Sequence, residues 1–218
     1  MIDEIKVVAR RHLATDGANL SLRAVARDMG MVSSALYRYF ASRDDLLTAL
    51  IIDGYNALGN AVESASVPDP DDLRGRWLAT GHAIREWALA NPAEYALLFG
   101  SPVPGYAAPQ DTVIAAARTP TALVKILADG YTAGLLTADD GDFSADVRAD
   151  LAQVRDVVAP GLPEALLMRG MAGWMHLFGV VSFELFGQLN NVIEARDEFF
   201  TTQLNMMADQ IFGHRTPC

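Results

Sequence analysis

Hydroxyl, phenol and guanidinium donors crowd the stretch from Ser21 to Arg43: Ser21, Ser33, Ser34, Tyr37, Arg38, Tyr39 and Arg43. Such groups donate to phosphate oxygens, and an arginine can also grip a guanine edge in bidentate fashion. They read DNA only when a rigid element carries them into a groove, and the surrounding residues have that layout.

Ser21 can cap a helix running to about Met29. Leu22, Val25, Ala26 and Met29 fall at i, i+3, i+4 and i+7 and make one buried stripe. Gly30 follows, where a left-handed residue ends a helix at low cost. Ser33 and Ser34 open a second short helix with Leu36 and Phe40 inward and Ser33, Ser34, Tyr37 and Arg38 outward. Ser42 caps a longer helix, with Asp45 in capping-box spacing. An earlier helix, roughly Ile2 to Thr15, turns Ile5, Val8, Ala9 and Leu13 inward and ends at Gly17. Two short helices about a glycine turn predict a helix-turn-helix whose second helix enters the major groove.

At these residues the chain resembles the tetracycline-repressor (TetR) family of bacterial regulators. The carrying pattern is Gly30, then Leu36, Tyr37, Arg38, Tyr39, Phe40, Ala41, Ser42, Arg43, Asp44, Asp45 and Leu46. Val32 stands where the family usually has a capping serine, a role that then passes to Ser33. Ala41 replaces a common proline and Arg43 a common lysine, which keeps the charge but changes the donor geometry. The resemblance implies phosphate contacts from Ser21, Tyr37, Tyr39 and Arg43, with Ser33, Ser34 and Arg38 toward base edges. Tyr37 and Tyr39 keep a second reading, as residues packed on the first helix. Arg23 and Arg27 read as a solvated face.

The 218 residues suit one small DNA-binding unit, residues 1–45, and a larger ligand-binding and dimerisation unit, residues 46–218. Net charge is −10 for the whole chain, yet residues 1–50 hold seven basic and six acidic groups, which leaves −11 on the remainder. The acidic bulk is therefore expected to point away from DNA, and binding to weaken with salt. No basic segment leads into an apolar run at the start, and the lone cysteine is Cys218. Both fit a cytoplasmic protein.

Past residue 45 the pattern is helical throughout, with no alternating strand, so the expected fold is all-α. One helix runs from about Arg43 to Ala65 with Leu47, Leu50, Ile51, Gly54, Leu58 and Val62 inward. Another covers Asp72 to Ala90, and Asn91-Pro92 breaks it. Glu94 to Phe99 is short and Ser101 to Pro109 is a loop. Separate helices are expected near Asp111 to Ala117, over Pro120 to Leu136, and over Ser144 to Val157. Glu164 to Leu189 has no charged residue between Arg169 and Glu184 and reads as buried, short of a bilayer span. Gly170, Gly173 and Gly179 allow close helix approach. Ile193, Phe200, Leu204, Met207 and Ile211 stripe the last helix.

Two such helices, doubled about a two-fold axis, predict a four-helix dimer interface built from Phe178, Val181, Leu185, Leu189, Phe200, Leu204, Met207 and Ile211. The alternative is that they cover only their own core. Within the family this region is similar to a type with a Trp, His, Gly signature: Trp174 and Gly179 match, and Phe178 takes the place of the histidine.

Enzyme readings fail. No Glu-x-x-His pair, phosphate-binding glycine loop or Gly-x-Ser-x-Gly turn is present, and the Asp139 to Asp146 cluster lacks the glycine of a calcium loop. No cofactor or metal is expected. The reading is a homodimeric repressor, bound to a palindromic operator in double-stranded DNA and released by a small apolar or aromatic effector, with no membrane role. Candidate lining residues are Trp77, His82, Trp87, Tyr95, Phe99, Tyr131, Trp174 and Phe178, each also explicable as core. A constitutive binder without effector and a helical-bundle enzyme are the rival classes.

Overall fold

The computed structural model describes residues 1–16, 20–65, 67–138 and 141–213. Every regular element among them is a helix: α1 (Ile2–Asp16), α2 (Leu22–Asp28), α3 (Ser33–Leu36), α4 (Arg43–Ser64), α5 (Leu73–Ala90), α6 (Pro92–Phe99), α7 (Thr112–Thr132), α8 (Ala145–Val158), α9 (Glu164–Leu185) and α10 (Arg196–Phe212). The expected ends at Gly17 and Cys218, and part of the Asp139 to Asp146 cluster, lie outside the described residues.

The chain packs as two units. One holds Met1–Gly59 with Trp87–Ala117, the other Asn60–Glu86 with Arg118–Cys218. In the first, Ile5, Val8, Ala9 and Leu13 of α1 meet Leu22, Val25 and Ala26 of α2, Leu36, Phe40, and Leu46, Leu47 and Leu50 of α4. Each valine, leucine, isoleucine or phenylalanine among them contributes about 1.5–3 kcal/mol on burial. Ion pairs reinforce the packing: Lys6–Asp53 at 2.9 Å, Arg10–Asp53 at 2.8 Å and Arg10–Glu94 at 3.5 Å.

The second unit closes α5, α9 and α10 on one another. A methyl group at Gly81 would sit 2.5 Å from Leu204, and one at Gly173 would sit 2.6 Å from Ile211 and 2.9 Å from Trp77. Any larger residue at either position would push these side chains aside. Arg85 of α5 grips Glu184 of α9 with two bonds of 2.7 Å and Asp197 of α10 with one of 2.6 Å. The Glu184 hydrogen bonds raise the Arg85 pKa further above its ordinary value, against the opposing effect of burial.

Three expectations are corrected. The two helices expected on either side of Pro120 are one helix, α7, with Pro120 inside it. Ala115, Thr119, Leu123 and Leu127 bury one unbroken stripe, which outweighs the roughly 3 kcal/mol that an interior proline costs. The penultimate helix stops at Leu185, because Gly187 takes a left-handed φ of +82° just beyond it. That helix is also buried on one side only: Leu177 and Val181 are covered, while Met175 and Phe183 are 57% and 55% exposed. By length and composition α9 is apolar enough to cross a membrane. Its Glu184, however, is locked to Arg85 in the packed unit.

Candidate nucleic-acid interface

The local chemistry of Ser21 and Ser42 sets the frame. Ser21 Oγ accepts from the Ala24 amide at 3.5 Å, starting α2, and Ser42 Oγ accepts from the Asp45 amide at 3.1 Å, starting α4. Gly30 turns the chain between α2 and α3 with φ +67°, a conformation that costs glycine little. The expected cap at Ser33 is not formed: Val32 holds the cap position with no side-chain bond, and Ser33 is the first residue of α3. After α3 the amides of Arg38, Tyr39 and Phe40 bond back to Ala35 and Leu36, which extends one more turn.

Leu36 and Phe40 anchor this short segment in the core, so the intervening residues face solvent. Ser34, Tyr37, Arg38 and Tyr39 are exposed and Ser33 is partly exposed. Tyr37 and Tyr39 therefore stand outside the core that α1 lines. Arg43 is partly buried, with Asp44 at 3.5 Å.

The ion pairs sort the cations. Lys6 and Arg10 are held by Asp53, and Arg27 lies 3.7 Å from Asp28. Among the described residues no ion pair holds Arg11, Arg23 or Arg38. Arg23 is exposed, as expected for a solvated face. It lines a recess of about 510 Å³ with Ser21, Tyr37, Ser42 and Arg43.

In the second unit an apolar groove of about 300 Å³ runs between α9 and α10, lined by His176, Gly179, Val180, Phe183, Leu189, Phe199 and Gln203. His176 Nε2 and Gln203 Oε1 pair across it at 3.1 Å. Five residues expected at a subunit interface are instead core of their own chain: Val181, Phe200, Leu204, Met207 and Ile211 are each at most 2% exposed. Their stripe is spent on α5 and α9, and a residue already covered has nothing left to offer a partner. Phe178 and Leu185 are partly exposed, and Leu189 lies beyond the end of α9 in the groove wall. The open apolar surface is the other side: Met175, Phe183 and Phe186, with Met206 on α10.

The eight effector candidates divide between the units. In the first, Tyr95 is fully buried and meets Phe99 at 4.9 Å with the rings tilted by 46°, and Trp87 is partly buried. In the second, Trp77 is fully buried, His82 meets Phe200 edge-on at 5.5 Å, and Trp174 meets Phe178 at 6.1 Å. Tyr131 is exposed, and none of the eight lines the groove. The Trp77 indole N–H is buried with no acceptor among the described residues.

Residues 5–50 match the family model described as bacterial regulatory proteins, tetR family, and residues 77–207 match a tetracyclin repressor-like C-terminal domain. An HTH-type transcriptional regulator of Mycobacterium tuberculosis is 39% identical over 193 residues, covering 85% of this chain and 81% of its own. A regulatory protein of solved structure aligns with a TM-score of 0.76 at 35% identity over 94% of each chain. A tetR-family regulatory protein from Rhodococcus shares the fold, with a TM-score of 0.66 at 16% identity over 97% of this chain and 96% of its own.

Proposed function

The chain belongs to the tetR family of bacterial regulatory proteins and is a DNA-binding transcriptional regulator; on that premise we propose how it holds DNA and what releases it. Residues 1–45 present the DNA face and residues 46–218 carry the ligand site and the subunit contact. Ser34 and Arg38, with Ser33, meet base edges in the major groove, and Ser21, Tyr37, Tyr39 and Arg43 meet phosphates. The observation that carries this reading is Arg38: exposed, without an ion pair among the described residues, and fixed between the buried anchors Leu36 and Phe40. A cation left unpaired on a rigid segment is ready for an anionic or guanine partner.

Two copies join through the open side of α9 and α10 around Phe183, Phe186 and Met206, giving a cytoplasmic homodimer on a palindromic operator. Exposed aromatic and methionine side chains of this size mark a contact surface. The same protein acts as a repressor released by a small apolar or aromatic effector. Support comes from the Trp77 indole, which has no acceptor among the described residues, since a buried unpaired donor costs about 1–3 kcal/mol and a ligand oxygen would offset it. α4 is a single helix from Arg43, beside the DNA face, to Ser64. A ligand that favours one tilt of α4 would change the spacing of the two recognition segments.

The expected coupling is about 1–3 kcal/mol, a release of roughly 5–150-fold in DNA affinity. Reciprocity provides the check. Calorimetric titration of a ligand found by thermal-shift screening, with and without operator, should give affinities differing by the same factor by which that ligand weakens operator binding. Equal ligand affinity in the two titrations rejects that ligand as an effector.

A further inference from the structure

We infer that Arg23 and Ser42 are DNA-phosphate ligands, and that the recess they share with Ser21, Tyr37 and Arg43 seats one backbone phosphate per subunit. The inference rests on the reading of the Ser21 to Arg43 surface as the DNA face and adds two residues to it. The recess brings two guanidinium groups and three hydroxyls to one hollow of about 510 Å³. Arg23 is exposed, and among the described residues no carboxylate neutralises it. Among the described residues α2 therefore gives this cation no internal partner. No carboxylate lines the hollow.

Both serines have a second use. Each already employs its oxygen as an acceptor, Ser21 from Ala24 N–H and Ser42 from Asp45 N–H. Each hydroxyl keeps its own hydrogen, which the donating amide cannot use and a phosphate oxygen can accept. The cap bond fixes the oxygen, so the remaining O–H samples a narrow cone, and little rotamer freedom is lost when a phosphate arrives. Guanidinium–phosphate pairing supplies the charge, and the hydroxyls supply the register.

The test uses the full-length dimer, its selected operator and a random duplex of equal length, with affinity measured by fluorescence anisotropy across a potassium chloride series. Arg23→Gln should reduce the slope of log affinity against log salt by about 0.9 for each subunit, and lower operator and random-duplex affinity by the same factor. Arg23→Lys should restore most of the slope. Ser42→Asp keeps an acceptor for the Asp45 amide, so its melting temperature should match the wild type, while the carboxylate in the recess repels phosphate and weakens both duplexes. Arg27→Gln, outside the recess, should leave the slope unchanged.

An Arg23→Gln slope equal to wild type, or a loss confined to the operator, overturns the assignment of Arg23 while leaving the DNA face in place. A Ser42→Asp variant that binds both duplexes normally overturns that of Ser42. A wild-type affinity with no salt dependence overturns the DNA-face reading itself, and this inference with it.

Discussion

Phe183→Asp will split the homodimer and leave each chain folded, whereas Phe200→Asp will prevent folding. The two phenylalanines lie on the paired helices α9 and α10, and burial separates them. Phe183 is 55% exposed in a single chain and Phe200 is 1% exposed. A carboxylate at 183 is therefore hydrated in the free subunit and desolvated only in the dimer, where an unpaired charge costs several kcal/mol. At 200 the same carboxylate faces the interior of its own unit, beside His82 and under the Arg85 guanidinium at 5.1 Å. Losing a buried phenylalanine alone costs about 3–5 kcal/mol, against about 5–15 kcal/mol for a whole protein. Light scattering and circular-dichroism melts decide the matter. A folded, dimeric Phe183→Asp variant would place the subunit contact elsewhere.

The second large effect is at Arg85. Arg85→Ala should cost about 3–5 kcal/mol, because it strands the Glu184 carboxylate in a buried setting with both of its guanidinium bonds gone. The loss exceeds that of an ordinary surface pair, about 0–1 kcal/mol, because Arg85 and Glu184 are each only 9% exposed. Asp197, whose side chain is 90% exposed, gives the comparison within the same cluster: Asp197→Asn should cost well under half as much. Replacing both buried partners, as Arg85→Leu with Glu184→Leu, should recover most of the stability, since no unpaired charge remains. Denaturant unfolding of the four proteins measures this, and a double variant no more stable than Arg85→Ala would show that the pair itself, and not the stranded charge, carries the stability.

Local chemistry was legible in the sequence. The caps at Ser21 and Ser42 and the turn at Gly30 each depend on residues within one helical turn, and all three form. Non-local choices were not legible. The stripe through Phe200, Leu204, Met207 and Ile211 is real, but periodicity says only that a face is apolar, not whether its own chain or a second copy covers it. Gly81 settles that question by letting Leu204 approach α5, and it lies far away in the chain. Pro120 signalled a break that the buried stripe of α7 overrode. The basic residues look equivalent in sequence, yet Asp53 neutralises Lys6 and Arg10 from more than forty positions away, while Arg11, Arg23 and Arg38 have no ion pair among the described residues. The aromatic effector candidates were legible as apolar bulk. Which of them meet a ligand depends on packing that no spacing encodes.

Selection of bound duplexes from a random pool, run with the wild type and with Arg38→Ala, tests the central claim most directly. The wild type should return an inverted repeat whose half-sites lie roughly 34–36 Å apart, or a multiple of one DNA turn. Arg38→Ala should return the same repeat with one position per half-site relaxed, at a cost of about 1–3 kcal/mol. A pool without an inverted repeat would contradict dimeric binding through the Ser21 to Arg43 surface, and an Arg38→Ala variant that weakens every sequence equally would contradict base reading by Arg38.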